Sequence, residues 1–398
     1  MITASSSTEK DTHQKLLTVY VAGRGVPTQK YPLRGIFEFD QAKALSENGC
    51  RVVYLAVDLR SLRHRRILGK QLFKKEGVMV YLWNFPGGKI GSLPKQFLMK
   101  LLLKRLYKEA RRIYGKADII HAHFPEVGIG AFALARSLHI PFVYTEHFSR
   151  VVQERVNPSL KKTASVIYKG SRKVIAVSPD LSRKILEKYS IESSVVPNIV
   201  DTTLFKYKKS DVSNNHPFTV LAVGALNETK RFDLIISSFH QAFYLNSDTA
   251  KKSELPLLHL FGDGPQRTSL EKSIHNLGLG ERVVLHGEAA RAEIAEYMKI
   301  SDCLVSASRS ETFGVVLIEA LAAGVPVIST KSGGPEHFIH SANGILVNKD
   351  DEDALSLALI KMKNYITSYD REYISNEIFT KFSPEAVSKQ LIRIYRNC

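Results

Sequence analysis

Short apolar runs rich in β-branched residues alternate with stretches of helical period along most of the chain. In the first half, these runs predict strands over 16–23, 51–57, 78–85, 118–123, 141–145, 173–177 and 194–197. Helices are predicted between them, the clearest over 36–48, 94–114 and 131–139. Strands that alternate with helices in this way are typical of a doubly wound parallel sheet, in the α/β class.

The alternation is interrupted once, by a polar segment over 206–216, and then starts again. Beyond it, strands are predicted over 218–223, 257–261, 283–286, 303–306 and 326–329, and the chain ends in an amphipathic helix over 384–396. We therefore predict an N-terminal domain (1–205), a linker (206–216), a C-terminal domain (217–375) and a C-terminal segment (376–398) that packs back on the N-terminal domain. Two such domains form a cleft at the carboxyl ends of their strands.

The composition is that of an ordinary globular protein. Of 398 residues, 44% are apolar and 24% are charged, which excludes disordered, collagen-like and disulfide-scaffold chains. No apolar run is long enough to predict a transmembrane helix, and the first fifteen residues lack the apolar core of a signal peptide. The three cysteines are far apart and odd in number, so we expect a reducing compartment, the cytoplasm.

The positive charge is confined to the first half of the chain. Residues 1–200 carry 34 basic and 15 acidic side chains, a net charge of +19, whereas residues 201–398 carry 22 and 24, a net charge of −2. Such a field attracts polyanions, and it fits a solvated surface, an anionic lipid surface or nucleic acid. The sequence has no helix-turn-helix, zinc finger or aromatic RNA-binding signature, which argues against nucleic acid.

The predicted helix over 94–114 lies in the most basic part of the chain. Apolar residues at 97, 98, 101, 102 and 106 form one stripe, and lysines and arginines occupy much of the remaining surface. A helix of this kind can lie on an anionic bilayer. An ordinary sheet-packing helix with a solvated basic face gives the same pattern, so both interpretations stay open.

Two glutamates separated by seven residues mark the most informative segment. Glu311 lies in a loop after the predicted strand 303–306, and Glu319 lies in the helix that follows. Residues 315–323 are apolar apart from Glu319, so the helix is buried and its single carboxylate needs a partner. That partner is either a core arginine or a ligand with two adjacent hydroxyls, such as a ribose. The free amides at the start of the same helix form an anion site.

The chain resembles the retaining family-4 glycosyltransferases of the glycosyltransferase-B fold, the glycosyl transferases group 1. The resemblance rests on Glu311 and Glu319, on the segment 322–328, on the Gly333-Gly334 turn and on 196–201, which is similar to the family's interdomain signature. It covers about residues 15 to 395. It implies two Rossmann-like doubly wound domains that face each other across a cleft. It also implies a nucleotide-diphosphate sugar as donor, most commonly UDP-linked, and no metal or other cofactor.

The resemblance assigns the donor side residue by residue. Glu319 falls on the position that holds the ribose hydroxyls, Glu311 on the one that faces the sugar, and Lys230 on the one that contacts the diphosphate. A fixed ammonium there stabilises the charge of the departing diphosphate. Many members carry a second cation where this chain has Ala225; either Arg231 replaces it or its loss is tolerated. The donor-binding set is Gly35, Lys230, Arg231, Glu311, Phe313, Gly314, Val315 and Glu319.

In the N-terminal domain, the resemblance assigns Gly35 to a loop near the diphosphate, although the usual double glycine is absent. His147, after the strand 141–145, falls on a histidine that approaches the transferred sugar. Together with Glu311 and Lys230 it completes the expected catalytic set, and His123 and Arg34 are expected on the acceptor side. A metal site formed by His121, His123, Glu146 and His147 is the alternative, but the resemblance implies none.

The resemblance therefore implies transfer of a sugar with retention at the anomeric carbon, without a metal and without a dedicated base. A saccharide or a lipid-linked acceptor, such as a polyprenyl-linked one, is expected, in polysaccharide or lipopolysaccharide biosynthesis at the inner face of a membrane. A sugar-nucleotide epimerase on the same fold is the alternative, and a nucleic-acid-binding protein is a weaker one. A Rossmann dehydrogenase is disfavoured because no G-x-G-x-x-G follows the first strand.

Overall fold

The computed structural model of the chain describes residues 16–88, 90–209, 216–245 and 255–398. Most of the predicted linker, residues 210–215, lies outside the described residues. The described chain contains two sheets of parallel strands with helices packed against them. This arrangement confirms the predicted fold class of two Rossmann-like α/β domains.

The first sheet has eight strands in the order β3-β4-β2-β1-β5-β6-β7-β8. The strands are β1 (Leu17–Gly23), β2 (Cys50–Asp58), β3 (Gly69–Lys75), β4 (Val78–Asn84), β5 (Ile119–His123), β6 (Phe142–Glu146), β7 (Lys173–Ala176) and β8 (Ser194–Val195). The helices are α1 (Ile36–Glu47), α2 (Ser92–Tyr114), α3 (Phe124–Leu138), α4 (Pro158–Gly170) and α5 (Pro179–Tyr189). All neighbouring strands are parallel except β3 and β4, which form an antiparallel edge hairpin.

The second sheet has six parallel strands in the order β11-β10-β9-β12-β13-β14. They are β9 (Thr219–Val223), β10 (Leu257–Phe261), β11 (Val283–Gly287), β12 (Cys303–Ser306), β13 (Val327–Thr330) and β14 (Gly344–Val347). The helices of this half and of the C-terminal segment are α6 (Phe232–Phe243), α7 (Arg267–Asn276), α8 (Arg291–Ile300), α9 (Val315–Ala322), α10 (Glu352–Asn364), α11 (Arg371–Phe382) and α12 (Pro384–Arg396). The order changes direction at β9 and β12, so this switch point is where an open α/β sheet binds ligands.

The C-terminal helices connect the two halves of the molecule. Helix α11 packs against α9, and α12 packs against α1. Leu391 and Tyr395 of α12 are buried in the core of the first sheet, and the Tyr395 hydroxyl lies 2.7 Å from Nδ1 of His121 on β5. The backbone N–H of Val200 donates to the carbonyl of Phe382 at 2.9 Å. The chain therefore returns to the N-terminal sheet after it has completed the second one.

Helix α2 buries part of the predicted apolar stripe. Leu102 and Leu106 of the stripe are buried, and Leu103 is buried beside them. Phe97, at the start of the stripe, is 70% exposed, and Leu93 is 76% exposed. The start of α2 therefore carries exposed apolar side chains next to a basic surface. Within the described ranges, no helix has the length and apolar character needed to cross a membrane.

Candidate active site

Lys230 and Glu311 form an ion pair where β9 and β12 end at the switch point of the second sheet. The Lys230 Nζ atom lies 2.5 Å from Oε1 of Glu311, and the Ser308 hydroxyl donates to the same oxygen at 2.7 Å. The side chains are 27% and 13% exposed, so both are partly open to solvent. The structure thus brings together two residues that lie 81 positions apart and that the resemblance assigns to the sugar and the diphosphate.

Tightly packed glycine loops surround this pair. A Cβ atom on Gly262 would lie 1.8 Å from the carbonyl oxygen of Gly224, and the φ angle of Gly262 is +139°. Each loop follows its strand, β10 or β9, and only glycine permits this close approach. Lys230 is held by Asn227, whose side-chain oxygen accepts from the Lys230 backbone N–H at 3.2 Å. The loops therefore fix the backbone from which the Lys230 ammonium projects.

Helix α9 begins at Val315, shortly after Glu311, and no side chain in the described part of the chain caps its first amides. Gly314 is the N-cap at a φ angle of +96°, a left-handed conformation that favours glycine, and Val315 is the first helical residue. The Phe313 ring is 3% exposed and packs against Phe338 and Phe382. Phe313 therefore offers only its backbone to a ligand. The uncapped amides form a partial positive charge suited to a phosphate.

Glu319 is paired with an arginine, which is one of the two partners that its sequence context allows. Arg291, the first residue of α8, donates through Nε and Nη2 to Oε1 of Glu319 at 3.0 and 2.7 Å. Arg291 is not a core residue, because its side chain is 16% exposed and also reaches Asp40 of α1 at 3.3 Å. Burial raises the pKa of the Glu319 carboxyl, and the Arg291 guanidinium acts in the opposite direction. A ribose at Glu319 must share this carboxylate with Arg291.

Arg231 is held by other carboxylates. Its Nε atom donates to Asp233 at 2.9 Å, and its guanidinium also contacts Asp350, which accepts from Arg309 as well. Arg231 has a φ angle of +52°. In this structure Lys230 is the cation at Glu311, and Arg231 would have to leave two carboxylates to join it.

His147 and His123 lie together below the surface of the N-terminal domain. Nε2 of His147 is 2.9 Å from Nδ1 of His123, and the His147 ring stacks against those of Phe37 and Phe124 with centroid distances of 5.6 and 4.9 Å. Burial lowers the pKa of His147 to about 4. His147 is 7% exposed and His123 is fully buried, so an acceptor meets His123 only through neighbouring groups.

Glu146 is a buried carboxyl that fixes the turn before these rings. It accepts hydrogen bonds from the backbone N–H groups of His147 and Phe148 at 2.9 and 2.8 Å, and from the hydroxyls of Tyr144 and Tyr168 at 3.0 and 2.8 Å. Burial raises the pKa of Glu146 to about 7. Because all four donors converge on this carboxyl, it sets the position at which His147 leaves β6.

Gly35 and Arg34 lie in the loop between β1 and α1. Gly35 has a φ angle of +73°, and a Cβ atom there would lie 2.3 Å from the carbonyl oxygen of Gly25. The Arg34 guanidinium lies 3.7 Å from Asp58 and 3.8 Å from Glu126, and its buried Nε and Nη2 atoms have no hydrogen-bond partner among the described residues. Arg34 therefore retains donors for an anionic or hydroxyl-rich ligand.

The described side chains do not form a metal cluster. Over the ranges that the structure covers, no group of three or more His, Cys, Asp or Glu side chains is placed to hold an ion. Of the four residues in the metal alternative, His121 bonds to Tyr395 and Thr145, and Glu146 faces its own four donors.

Comparison with known protein families gives two matches, one in each half of the chain. Residues 39–204 match the family model described as Glycosyltransferase Family 4, and residues 205–376 match the one described as Glycosyl transferases group 1. Together the two matches span both domains. The chain belongs to the group 1, family-4 glycosyltransferases. The match in the C-terminal domain contains Lys230, Glu311, Glu319 and the uncapped start of α9.

Two curated relatives are similar to this glycosyltransferase over most of their length. One is the mannosylfructose-phosphate synthase of Agrobacterium fabrum, 24% identical over 375 residues, with 82% of this chain and 81% of the relative covered. The other is the alpha-monoglucosyldiacylglycerol synthase of Acholeplasma laidlawii, 25% identical, with 80% and 85% covered. Both are named as synthases of glycosylated products, and they differ in the acceptor that their names give.

Solved structures place this glycosyltransferase in the glycosyltransferase-B fold. The sucrose-phosphate synthase of Thermosynechococcus elongatus has a TM-score of 0.76 at 20% identity and covers 96% of this chain and 98% of its own. HepE of Anabaena, in complex with UDP-glucose, has a TM-score of 0.69 at 19% identity and covers 96% and 100%. The resemblance named from the sequence is thus confirmed for family and for fold.

Sequence reasoning missed Arg291 and Asp40 as residues of this site. Glu319 is separated from Arg291 by 28 residues and from Asp40 by 279, and no motif connects the three. The one available signal is that Arg291 opens a helix, where a cation is unfavourable because the helix dipole is positive at that end. A basic residue in that position indicates a nearby anionic partner.

Proposed function

We propose that this glycosyltransferase moves a sugar from a UDP-linked donor to a saccharide or lipid-linked acceptor, with retention at the anomeric carbon and without a metal. The product belongs to a cell-surface glycan such as a polysaccharide or lipopolysaccharide. The similar HepE of Anabaena supports the donor class, since it was solved with UDP and with UDP-glucose. The alpha-monoglucosyldiacylglycerol synthase supports a lipid acceptor by its name.

The Lys230–Glu311 ion pair beside the uncapped start of α9 is the observation that carries this proposal. A diphosphate between the Lys230 ammonium and the amides of α9 has its charge balanced from two sides. Glu311, held by Ser308, then faces the hydroxyls of the sugar. These groups stabilise the diphosphate most strongly when the glycosidic bond breaks and its charge grows.

The mechanism needs no carboxylate base. In this proposal Glu311 binds the hydroxyls of the sugar and Glu319 binds the ribose, so neither acts as one of the two carboxyls of a glycosidase. The acceptor hydroxyl attacks from the face that the diphosphate leaves, and the departing phosphate oxygen takes its proton. His147, whose pKa is lowered by burial, stays neutral and acts as a hydrogen-bonding group near the sugar.

A cavity of about 480 Å³ in the N-terminal domain suits the acceptor. It opens between α2, α3 and α4, and the groups that line it include Arg24, Lys95, Phe124, Glu126, Phe148 and Asn157. Aromatic faces mixed with charged and amide groups are the surface that a saccharide needs. The cavity lies beside the carboxyl ends of β1, β5 and β6, and Lys95 connects it to the basic helix α2.

The donor part of this proposal is tested by thermal stabilisation. UDP-, ADP- and GDP-linked sugars are screened against the wild type, Lys230→Met and Glu311→Gln. We expect a UDP-sugar to raise the unfolding temperature of the wild type. Lys230→Met should bind this donor about 10- to 100-fold more weakly, because a charge-assisted contact is lost. Lys272→Met, an exposed lysine of α7, is the matched control and should bind normally.

Turnover separates the transferase from its alternative. With the stabilising donor, we expect release of the nucleoside diphosphate only when an acceptor is added, and NMR of the product should show the anomeric configuration of the donor. Conversion of the nucleotide sugar without any acceptor would favour the epimerase. Absence of stabilisation by all three classes of nucleotide sugar would refute the donor assignment.

A further inference from the structure

Arg291 lies between carboxylates that belong to the two halves of the molecule. Two of its nitrogens donate to Glu319 of α9, at 3.0 and 2.7 Å, and Nη1 donates to Asp40 of α1 at 3.3 Å. The guanidinium also lies over the ring of Phe205, 5.4 Å from its centroid, at the end of the N-terminal domain. A single side chain of the C-terminal domain thus connects helix α9 of that domain to helix α1 of the N-terminal domain.

The geometry leaves half of the Glu319 carboxylate available. Both Arg291 nitrogens donate to Oε1, and within the part of the chain that the structure describes no hydrogen bond is made to Oε2. The Glu319 side chain is 10% exposed, and its buried carboxyl would favour the neutral form without a nearby cation. Arg291 therefore fixes the rotamer of Glu319, keeps it ionised, and leaves one oxygen as an acceptor.

We propose that Arg291 is a positioning residue of the nucleotide site, which orients Glu319 toward the ribose hydroxyls and, through Asp40, makes that orientation depend on the contact between the two domains. This inference rests on the proposed function, because it presumes a nucleotide at Glu319. Arg291 itself does not touch the reacting atoms.

The charges around Arg291 explain why it acts on both domains. Asp40, Glu319 and the nearby Asp201 are three carboxylates that repel one another, and Arg291 is the cation common to them. Without Arg291, the Asp40 and Glu319 carboxylates would repel each other across the two domains with much less compensation. A change at Arg291 therefore has to alter the ribose contact and the domain contact together.

The test compares a ribose with a ribose that lacks its hydroxyls. Binding of UDP and of 2′,3′-dideoxy-UDP to the full chain is measured by calorimetry. The wild type should prefer UDP by about 10-fold or more, because a carboxylate accepts from the two hydroxyls. Arg291→Met should reduce this preference to about 3-fold or less while binding of the dideoxy nucleotide stays nearly unchanged. Arg291→Lys should restore part of the preference.

Control variants distinguish a positioning role of Arg291 from a general structural role. Lys299→Met, an exposed change on the same helix, should keep the wild-type preference. Glu319→Gln should lose it, and Arg291→Met added to Glu319→Gln should lose no more. Full ribose preference in Arg291→Met would overturn the proposal, and so would equal weakening of both nucleotides, which indicates a merely structural role.

A separate experiment tests the contact between the two domains. Asp40→Asn should lower the ribose preference less than Arg291→Met does, and the double variant should match Arg291→Met alone. Additive effects would show that Asp40 acts independently of Arg291 and would overturn the cross-domain part. If the wild type binds neither UDP, ADP nor GDP, the proposed function itself fails, which is distinct from every outcome above.

Discussion

At the scale of single residues, the N-terminal domain buries several titratable groups close together. His121 bonds to Tyr395 and Thr145, His123 bonds to His147, and Glu146 accepts four hydrogen bonds close by. Burial lowers the pKa of His121 to about 3. These neutral rings pack like apolar groups while their nitrogens hold neighbouring elements in register. Because the folded chain keeps these rings neutral, acid should destabilise it.

We predict that His121 makes the N-terminal domain less stable below neutral pH. The unfolded chain binds a proton at His121 near pH 6.5, whereas the folded chain does so only near pH 3. The free energy of unfolding therefore falls as the pH drops below about 6.5, by up to about 1.4 kcal/mol per pH unit. His121→Gln, which keeps a hydrogen-bonding side chain, should reduce this slope. The measurement is urea unfolding between pH 4.5 and 7.5.

Trp83 makes that measurement specific to one domain. It is the single tryptophan of the chain and lies on β4 of the first sheet. The matched control is His275→Gln, since His275 is exposed on α7, and its pH slope should equal that of the wild type. An unchanged slope in His121→Gln would contradict the prediction.

The residues of the site differ in how far the sequence could predict them. The family resemblance assigned Glu311 to the sugar and Lys230 to the diphosphate, and the structure places the two side chains 2.5 Å apart. Arg291 could not be predicted, because its partners are distant in sequence and become neighbours only after the domains have packed. The buried state of His123 also depends on tertiary packing, against the rings of His121 and His147.

At the scale of elements, most strands and helices follow the hydrophobic pattern, and the exceptions have local causes. Strand β3 was not predicted, because its sequence is rich in lysine and only alternate residues are partly buried. This pattern is typical of an edge strand. Helix α3 begins at Phe124, seven residues before the predicted start. Its Gly128 and Gly130 suggest a loop, yet Cβ atoms there would lie 2.6 Å from Tyr144 and 2.7 Å from Met99. These glycines allow close helix packing.

We predict that α12 is part of the N-terminal core in solution. Leu391 is fully buried among residues of the first sheet, so Leu391→Ala should lower the free energy of unfolding by about 2 to 5 kcal/mol. The loss should occur in the transition reported by Trp83, even though Leu391 follows the second sheet in the chain. The control is Leu357→Ala on α10, where the leucine is 66% exposed, with an expected change below about 0.5 kcal/mol. A Trp83 transition unaffected by Leu391→Ala would contradict this packing.

At the scale of the whole molecule, the basic half of the sequence and the nearly neutral half form different sheets. The half with a net charge of +19 forms the first sheet, which holds the proposed acceptor cavity, and the half with a net charge of −2 holds the proposed donor site. The fold and the two domains were predictable, because the strand and helix pattern repeats on each side of one polar segment. The relation between the domains was not, since contacts such as Arg291 to Asp40 have no counterpart in local sequence.

The last prediction concerns the basic surface of α2, which we propose rests on an anionic membrane. Its exposed side includes Lys104 and Lys108, beyond the exposed apolar residues Leu93 and Phe97. The protein should float with vesicles that contain about 30% phosphatidylglycerol at low salt, and much less at 1 M salt, where the Debye length is only about 3 Å. Lys104→Gln with Lys108→Gln should weaken binding by about 30-fold, at about 1 kcal/mol for each lysine near the surface. The same change at Lys272 and Lys299 removes equal charge from the other domain and should have little effect. If the two double variants bind alike, or if the wild type does not float at low salt, α2 is an ordinary helix with a solvated basic face.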